Sequence, residues 1–130
     1  MAPKPSPGKM RILIVDDSAE TLEILRRQLS AAGYVTSVAP GVAEAIGVLE
    51  FNPVDLVITD MKMPRLTGLD LVRYIRENAP ETEVIIMTAF PCIDNAVQSV
   101  KDGAEDYLTK PFTGDELFAA IERVREKILL

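Results

Sequence analysis

Acidic, hydroxyl and basic side chains stand directly after the short apolar segments of this chain. The first segment leads into Asp16-Asp17, the third into Asp60, the fourth ends on Thr88, and the fifth is followed by Lys110. Carboxylates crowded together repel one another, and one of them protonates unless a cation is present. Oxygen-only ligation suits Mg²⁺, which keeps several waters and binds beside phosphate oxygens. The set therefore predicts a magnesium site that serves phosphoryl transfer.

Phosphoryl transfer gives each of these groups a role. A metal and Lys110 neutralise the phosphoryl oxygens, Thr88 donates a hydrogen bond to them, and a carboxylate is the nucleophile. We expect Asp60 to be that nucleophile because it ends a central strand. Each residue has an ordinary structural explanation when taken singly, and Asp16-Asp17 also suit a helix N-terminus. Their convergence on one sheet edge favours a functional site.

The composition excludes several other classes of function. The chain has 130 residues, no His and one Cys, Cys92, which excludes His-based catalysis, intrachain disulfides and the usual zinc ligand sets. Lys and Arg number 14 against 20 Asp and Glu, a net charge of −6 that disfavours direct nucleic-acid binding. Apolar runs such as Ile12–Val15 are too short to span a membrane. Met1–Lys9 lacks the apolar segment of a signal peptide, so we expect a cytoplasmic location.

Short apolar runs alternate with longer amphipathic stretches, which is typical of strand–helix units around a parallel sheet. The first, third and fourth runs are rich in β-branched residues without period-2 alternation, which places these strands in the sheet centre. Residues 1–9 are proline-rich and predicted to be disordered, and residues 10–130 form one domain. The predicted strands are Arg11–Val15, Val35–Ala39, Leu56–Thr59, Val84–Thr88 and Tyr107–Thr109.

Apolar residues at a spacing of 3.6 predict five helices. The first begins after the N-cap Ser18, turns Leu22, Leu25 and Leu29 inward, and ends before Gly33, which suits a left-handed C′ position. The other predicted helices are Ala43–Glu50, Leu69–Glu77, Asp94–Lys101 and Asp115–Ile128.

Four segments of the chain share a recognisable pattern of strand-end residues. They are Ile14–Asp17, Thr59–Pro64 followed by Gly68, Met87–Ala89, and Asp106–Phe112. Together they resemble the receiver domains of two-component response regulators, and the resemblance covers about residues 11–128. It implies an α/β, flavodoxin-like (βα)5 doubly wound fold with a five-stranded parallel sheet in the order 2-1-3-4-5. The stretch from Met87–Phe90 through Gly103–Tyr107 looks most like receivers of the nitrogen-regulator type, which precede an ATPase transcription activator.

The resemblance implies that Asp60 accepts the phosphoryl group beside a bound Mg²⁺. Asp17 is then a direct metal ligand, whereas Asp16 acts largely through water. Lys62 offers its backbone carbonyl to the metal, and its side chain helps to shape the mouth of the pocket.

The resemblance also implies which residues respond to the phosphoryl group. Thr88 and Lys110 hold the phosphoryl oxygens, and Tyr107 turns inward as Thr88 moves toward the phosphate. The peptide bond between Lys110 and Pro111 is expected to be cis, an isomer found in only about 5–6% of X–Pro bonds.

The implied partners are a cognate histidine kinase and an output domain or target protein, with transcription regulation as the expected outcome. The surface of the fourth helix, fifth strand and fifth helix is expected to change on phosphorylation and to support a homodimer. Such a module is not an enzyme beyond its own phosphorylation and dephosphorylation. Arg65 and Thr67 depart from the small and acidic residues common in the third loop, and Pro91 stands where Gly is common.

Three other interpretations fit parts of this pattern. Phosphatases of the haloacid-dehalogenase class also use a strand-end Asp and Mg²⁺, but they place a second Asp where this chain has Lys62. A nucleotide-binding domain needs a Gly-rich loop after the first strand, where Asp16-Asp17-Ser18 stand instead. A pseudo-receiver keeps the fold and acts by contact alone, which the complete set of acidic residues, Thr88 and Lys110 disfavours.

Overall fold

The computed structural model describes residues 10–90 and 103–129. Strands and helices alternate along residues 10–90, and the helix that follows the fifth strand is called the C-terminal helix below. The strands are β1 (Arg11–Val15), β2 (Val35–Ala39), β3 (Leu56–Asp60), β4 (Glu83–Thr88) and β5 (Asp106–Thr109). The helices are α1 (Ala19–Ala31), α2 (Val42–Phe51), α3 (Gly68–Asn78) and the C-terminal helix (Gly114–Leu129).

The five strands form one parallel sheet in the order β2-β1-β3-β4-β5. This confirms the flavodoxin-like fold and the central position predicted for β1, β3 and β4. The predicted strand boundaries are correct to within one residue, because β3 continues to Asp60, β4 starts at Glu83 and β5 at Asp106.

Two apolar layers cover the sheet, one on each face. Neighbouring residues of β1 divide between them, with Ile12 and Ile14 in one layer and Leu13 and Val15 in the other. The first layer packs against α1 and the C-terminal helix, and the second against α2 and α3. A strand covered on both faces needs apolar residues at every position, which explains why β1 shows no alternation.

Helix α1 has the ends that its sequence predicts. The Ser18 side chain accepts a hydrogen bond from the Thr21 amide, which is a normal N-cap. At the other end Gly33 has a φ of 98°, and its amide donates to the Ser30 carbonyl oxygen. The Tyr34 amide donates to Leu29, which completes a Schellman motif. These caps set the direction in which the chain enters and leaves the sheet edge.

Several predicted features lie outside the described residues. These are the proline-rich segment 1–9, Pro91, Cys92 and the helix predicted over Asp94–Lys101. Helices α2, α3 and the C-terminal helix lie where they were predicted, and each begins and ends one residue outside its predicted range. No helix within the described ranges is long and apolar enough to cross a bilayer.

Candidate functional site

Strand register places the chemically active residues at the carboxyl edge of the sheet. Val15 pairs with Thr59, so Asp16, which follows β1, lies beside Asp60, the last residue of β3. On the other side of β3, Thr88 pairs with Thr109, and the Lys110 amide donates to the Thr88 carbonyl at 2.7 Å. Four of the five strands therefore end around one point.

The carboxylates of Asp16, Asp17 and Asp60 form a cluster whose oxygens lie within 4.8 Å of one another. Asp16 is buried, Asp60 is partly buried and Asp17 is exposed. All donors are hard oxygen atoms, and an exposed carboxylate leaves room for water ligands. This donor set fits Mg²⁺, which prefers one or two carboxylates together with several waters.

Both carboxylate oxygens of Asp16 are already engaged. Oδ1 accepts a hydrogen bond from the Ser18 amide at 2.9 Å, and Oδ2 accepts one from Lys110 Nζ at 3.0 Å. The same Asp16 side chain thus braces the start of α1 and holds the lysine. Asp16 is only 1% exposed, so this charge depends on both partners.

Lys110 connects two of the three carboxylates. Its Nζ lies 3.0 Å from Asp16 Oδ2 and 3.3 Å from Asp60 Oδ1. Burial by itself lowers the pKa of Lys110, but the hydrogen bond to Asp16 and the charge of Asp60 outweigh it and raise the pKa above its ordinary value. Lys110 is therefore an ammonium at neutral pH, fixed at the centre of the cluster.

The surroundings of Asp60 disfavour its ionised form. Burial raises the pKa of Asp60 above its ordinary value of 3.8, the negative charges of Asp16 and Asp17 add to this rise, and Lys110 opposes it. A carboxylate with a raised pKa is a stronger base and a stronger nucleophile than an ordinary one.

The loop after β3 is held close to the backbone of Asp60. The Gly68 amide donates to the Met61 carbonyl at 2.9 Å, and a Cβ on Gly68 would lie 2.6 Å from the Asp60 carbonyl oxygen. Only glycine fits this approach. Arg65 adopts a φ of 73°, and Thr67 caps α3 through a reciprocal capping box with Asp70. Arg65 and Thr67, which differ from the residues common in this loop, therefore each have a defined backbone conformation or hydrogen bond.

Thr88 and Phe90 are linked directly above the end of β4. The Thr88 hydroxyl oxygen accepts a hydrogen bond from the Phe90 amide at 3.1 Å. The Phe90 ring in turn lies 5.7 Å, centroid to nitrogen, from the Lys62 ammonium. Lys62 itself is exposed between buried Met61 and Met63. The contact joins the segments that follow β3 and β4.

Comparison with known proteins identifies the family. The family model for the response regulator receiver domain matches residues 12–122. The chain belongs to the response regulator receiver domain family. A solved receiver domain protein from Clostridium thermocellum is 38% identical, superposes with a TM-score of 0.85, and is matched over 93% of this chain and 99% of its own. The chain is thus a signalling domain of two-component response regulators.

Two curated relatives extend the comparison. The response regulator protein PilR of Pseudomonas aeruginosa is 43% identical over 104 residues, which are 80% of this chain and 23% of PilR. The response regulator MprA of Mycobacterium sp. (strain KMS) is 39% identical over 110 residues, 85% of this chain and 48% of MprA. The receiver domain thus spans between about a quarter and a half of the curated relatives it matches.

NtrX of Brucella abortus, solved in complex with ATP, is 31% identical to this receiver domain and superposes with a TM-score of 0.85. The match covers 91% of this chain and 27% of that chain. NtrX therefore also carries the receiver fold as one part of a longer protein.

Two further positions named from the sequence lie around this receiver site. The peptide bond between Lys110 and Pro111 is cis, the isomer that the family resemblance implies. Tyr107 is partly buried and packs against the apolar layer shared with α2 and α3. Its amide donates to the side chain of Asp106 at 2.8 Å, and Arg123 binds the other oxygen of that carboxylate, also at 2.8 Å.

Sequence reasoning missed Phe90 as a residue of the receiver site. Phe90 follows Thr88, the last residue of β4, by two residues, and Lys62 follows Asp60, the last residue of the neighbouring β3, by two residues. This equal spacing from the ends of two neighbouring strands was the sequence signal that placed Phe90 near Lys62. The reasoning also missed the Ser18 amide as a partner of Asp16, because Ser18 was assigned only to the helix cap.

Proposed function

We propose that Asp60 is the phosphoryl acceptor of this receiver domain. The observation that supports this most directly is its position between Lys110, 3.3 Å away, and two further carboxylates within 4.8 Å. A carboxylate oxygen of Asp60 attacks phosphorus, the phosphorus–nitrogen bond of a kinase phosphohistidine breaks, and the imidazole leaves. The product is an aspartyl phosphate.

The proposed direct ligands of Mg²⁺ are Asp17, Asp60 and the backbone carbonyl of Lys62. Asp16 is proposed to act on the metal through a water molecule. When bound there, Mg²⁺ supplies positive charge that neutralises the phosphoryl oxygens. The engagement of both Asp16 oxygens supports its indirect role, and the exposure of Asp17 supports direct ligation.

Lys110 and Thr88 are proposed to hold the new phosphoryl group. Lys110 already contacts Asp60, so its ammonium needs only a small displacement to reach an oxygen on that side chain. The Thr88 hydroxyl oxygen accepts a hydrogen bond from the Phe90 amide in this structure. Movement of Thr88 toward the phosphate would open space beside β5. Tyr107 of β5 is the proposed switch residue, which turns inward into that space.

The proposed partners are a histidine kinase that supplies the phosphoryl group and an output domain or target protein, with transcription regulation as the outcome. A groove of about 470 Å³ lies between α1 and the loop after β5, with Lys110 and the half-exposed Ile24 in its lining. Because a phosphohistidine must approach Asp60 from outside the sheet edge, this groove is the proposed kinase contact. A homodimer through the helix predicted over Asp94–Lys101, β5 and the C-terminal helix is proposed for the phosphorylated form.

The decisive experiment is mass spectrometry after incubation with acetyl phosphate and Mg²⁺. The natural protein should gain the mass of one phosphoryl group, and fragmentation should place it on Asp60. Asp60→Asn should gain none under the same conditions. A phosphoryl group on another residue, or equal labelling of the variant, would contradict the proposal.

The proposed chemistry is confined to the domain's own phosphorylation and dephosphorylation. A haloacid-dehalogenase-like phosphatase is not favoured, because Lys62 stands where that class has its general acid. A steady release of phosphate from added phosphate monoesters, continuing over many turnovers, would support the phosphatase instead. A protein that acts on its target without taking up phosphate would support the pseudo-receiver.

A further inference from the structure

The sheet ends at β2 with an edge strand that carries no feature against pairing. β2 is the first strand in the order β2-β1-β3-β4-β5, so among the described residues no strand lies beyond it. Edge strands usually contain charged residues, proline or a bulge, which keep another strand from adding to them. β2 has none of these, and residues 28–43 form the longest stretch of the chain without a charged side chain. The edge is therefore open to another strand.

Two exposed valines lie on this short strand. Val35 is 54% exposed and Val38 is 39% exposed, and they face opposite sides of the sheet because side chains alternate along a strand. Val38 shares the α1 side with Thr36, whose hydroxyl lies 2.9 Å from that of Ser30. Val35 shares the other side with Ala39, which belongs to the layer packed against α2. Each face of the edge thus has one valine that the neighbouring helix leaves uncovered.

Hydrogen bonds at the two ends of β2 determine which backbone groups face outward. The Val35 amide donates to the Met10 carbonyl oxygen at 3.0 Å, and the Ala39 carbonyl oxygen accepts a bond from the residue after β1 at 3.2 Å. In a parallel pair every second residue of a strand bonds to a given neighbour, so these bonds and the strand register assign the intervening residues to the open side. The outward N–H and C=O groups are therefore those of Thr36 and Val38.

These outward groups match those of a second copy in one antiparallel register. With Ser37 opposite its own counterpart, Thr36 of one copy lies opposite Val38 of the other, and the two residues exchange both backbone hydrogen bonds. The twofold axis repeats this pair on its other side. Val38 then packs against the Thr36 methyl group, and Val35 covers Ala39 on the other face. A shift of one residue would face outward groups with inward ones.

We propose that the β2 edge is a self-association surface, to which a second copy of this chain adds its own β2 in antiparallel register. The interface is isologous, because the same strand serves both copies. It lies at the opposite end of the sheet from β5, so it is separate from the dimer proposed for the phosphorylated form and does not need phosphorylation. A domain that uses both surfaces assembles beyond a dimer. Because one short strand buries little area, we expect a dissociation constant of about 0.1–1 mM.

Disulfide formation across the twofold axis tests the register. In a Cys92→Ser background, Ser37→Cys places two thiols opposite each other, with Cα atoms about 4.5 Å apart, as a disulfide requires. Diamide should link this variant into dimers at least about five-fold faster than Thr36→Cys, whose thiol faces Val38 of the second copy. Thr36→Cys is a matched control because both positions are half-buried on the same strand. Equal rates would overturn the proposed pairing.

A charge on the edge should prevent self-association. In sedimentation equilibrium, Val38→Lys should weaken the dimer at least about ten-fold, because two ammonium groups would then flank the twofold axis. Val38→Thr keeps a β-branched, uncharged side chain and should stay within about two-fold of the natural protein. Thermal unfolding verifies that each variant is folded. Natural dimerisation by Val38→Lys would contradict the proposal.

Amide hydrogen exchange, followed by NMR, identifies what covers the edge. The amides of Thr36 and Val38 should exchange rapidly in dilute protein and slowly in concentrated protein, whereas the Ser37 amide, which faces β1, should exchange slowly in both. Protection at every concentration would show that another segment of the same chain covers the edge. Rapid exchange at about 1 mM would show that no strand adds there. Either result overturns the proposal.

Failure of this inference and failure of the proposed function give different results. Association through β2 should be the same in Asp60→Asn, which cannot be phosphorylated at that position. If mass spectrometry finds no phosphoryl group on Asp60 but the Ser37→Cys dimer forms, only the proposed function is wrong. If Asp60 is labelled and the Ser37→Cys dimer forms no faster than its control, only the role of the β2 edge is wrong.

Discussion

Lys110 Nζ lies 3.0 Å from Asp16 Oδ2, although 94 residues separate them in sequence. Asp16 follows β1 and Lys110 follows β5, and β3 and β4 lie between these strands in the sheet. The long lysine side chain reaches across that gap. Lys110 also contacts Asp60, so one ammonium offsets the charge of the buried Asp16 and of the partly buried Asp60. The phosphoryl group proposed on Asp60 would therefore compete with Asp16 for Lys110.

Magnesium binding should depend more on Asp17 than on Asp16. Asp17→Asn removes the charge of an exposed, proposed direct ligand, whereas both oxygens of Asp16 are held by Ser18 and Lys110. We expect the natural affinity to be roughly sub-millimolar to millimolar, as for other water-rich sites. Calorimetric titration of both Asn variants gives the order directly. A larger loss of affinity in Asp16→Asn would show that the ligand assignment is wrong.

Asp60→Asn should stabilise the metal-free protein at neutral pH. The folded protein raises the pKa of Asp60 above its unfolded value of 3.8, so the ionised group destabilises the fold. This penalty is absent below the unfolded pKa, grows as the pH rises between the two pKa values, and is complete above the folded pKa. We expect a gain on the order of 1 kcal/mol in the free energy of unfolding at pH 7.

Urea unfolding in EDTA, repeated across the acidic range, measures this effect. The difference between Asp60→Asn and the natural protein should disappear as the pH falls below 3.8. Asp115→Asn, at an exposed position in the first turn of the C-terminal helix, is a matched control that should give no stabilisation. A natural protein more stable than Asp60→Asn at pH 7 would contradict the direction of the pKa shift.

Lys110→Ala should separate phosphorylation from the surface change. The variant loses a charge-assisted contact to the phosphoryl oxygens, and phosphorylation is expected to persist in part because Asp60 and the metal ligands remain. Hydrogen exchange with and without beryllofluoride should then change most in residues 90–103 and around Tyr107 in the natural protein. It should change little in residues 21–32. Lys110→Ala should lose these changes.

Arg27→Ala is the control for that experiment, because it removes an exposed cation of α1 that lies outside the site. It should respond to beryllofluoride as the natural protein does. If Lys110→Ala still showed the full exchange response, Lys110 would not connect the phosphate to the switch. Changes confined to residues 21–32 would move the output surface to α1 and remove support for dimerisation through β5 and the C-terminal helix.

Two Gly→Ala substitutions should have opposite effects. In Gly68→Ala the new methyl group meets the Asp60 carbonyl oxygen at 2.6 Å, so backbone must shift, at a cost of about 1–3 kcal/mol. Gly47 is exposed within α2 and has no neighbouring atom within 4 Å, so Gly47→Ala should stabilise by about 0.5–1 kcal/mol. Thermal unfolding compares both with the natural protein, and the reverse order would rule out the close approach at Gly68.

The sequence by itself determined the strands, most helices and the residues that gather at the sheet edge. Unbroken apolar runs identified the central strands because a doubly covered strand has no polar face. Helix α1 could be predicted equally well, because the spacing of its Leu residues, the Ser18 N-cap and the Gly33 C-terminal signal all depend on residues close together in sequence. The family resemblance supplied the strand order and the cis bond at Pro111.

Only the tertiary structure decided which side chains bind one another. The pairing of Lys110 with Asp16, the approach of Gly68 to Asp60 and the contact of Lys62 with Phe90 each join different elements. These distances depend on strand register, sheet twist and side-chain rotamers, which are set by the tertiary packing of the whole domain. A local pattern can therefore place a charge at the correct edge of the sheet, but the partner that fixes it there is selected by packing.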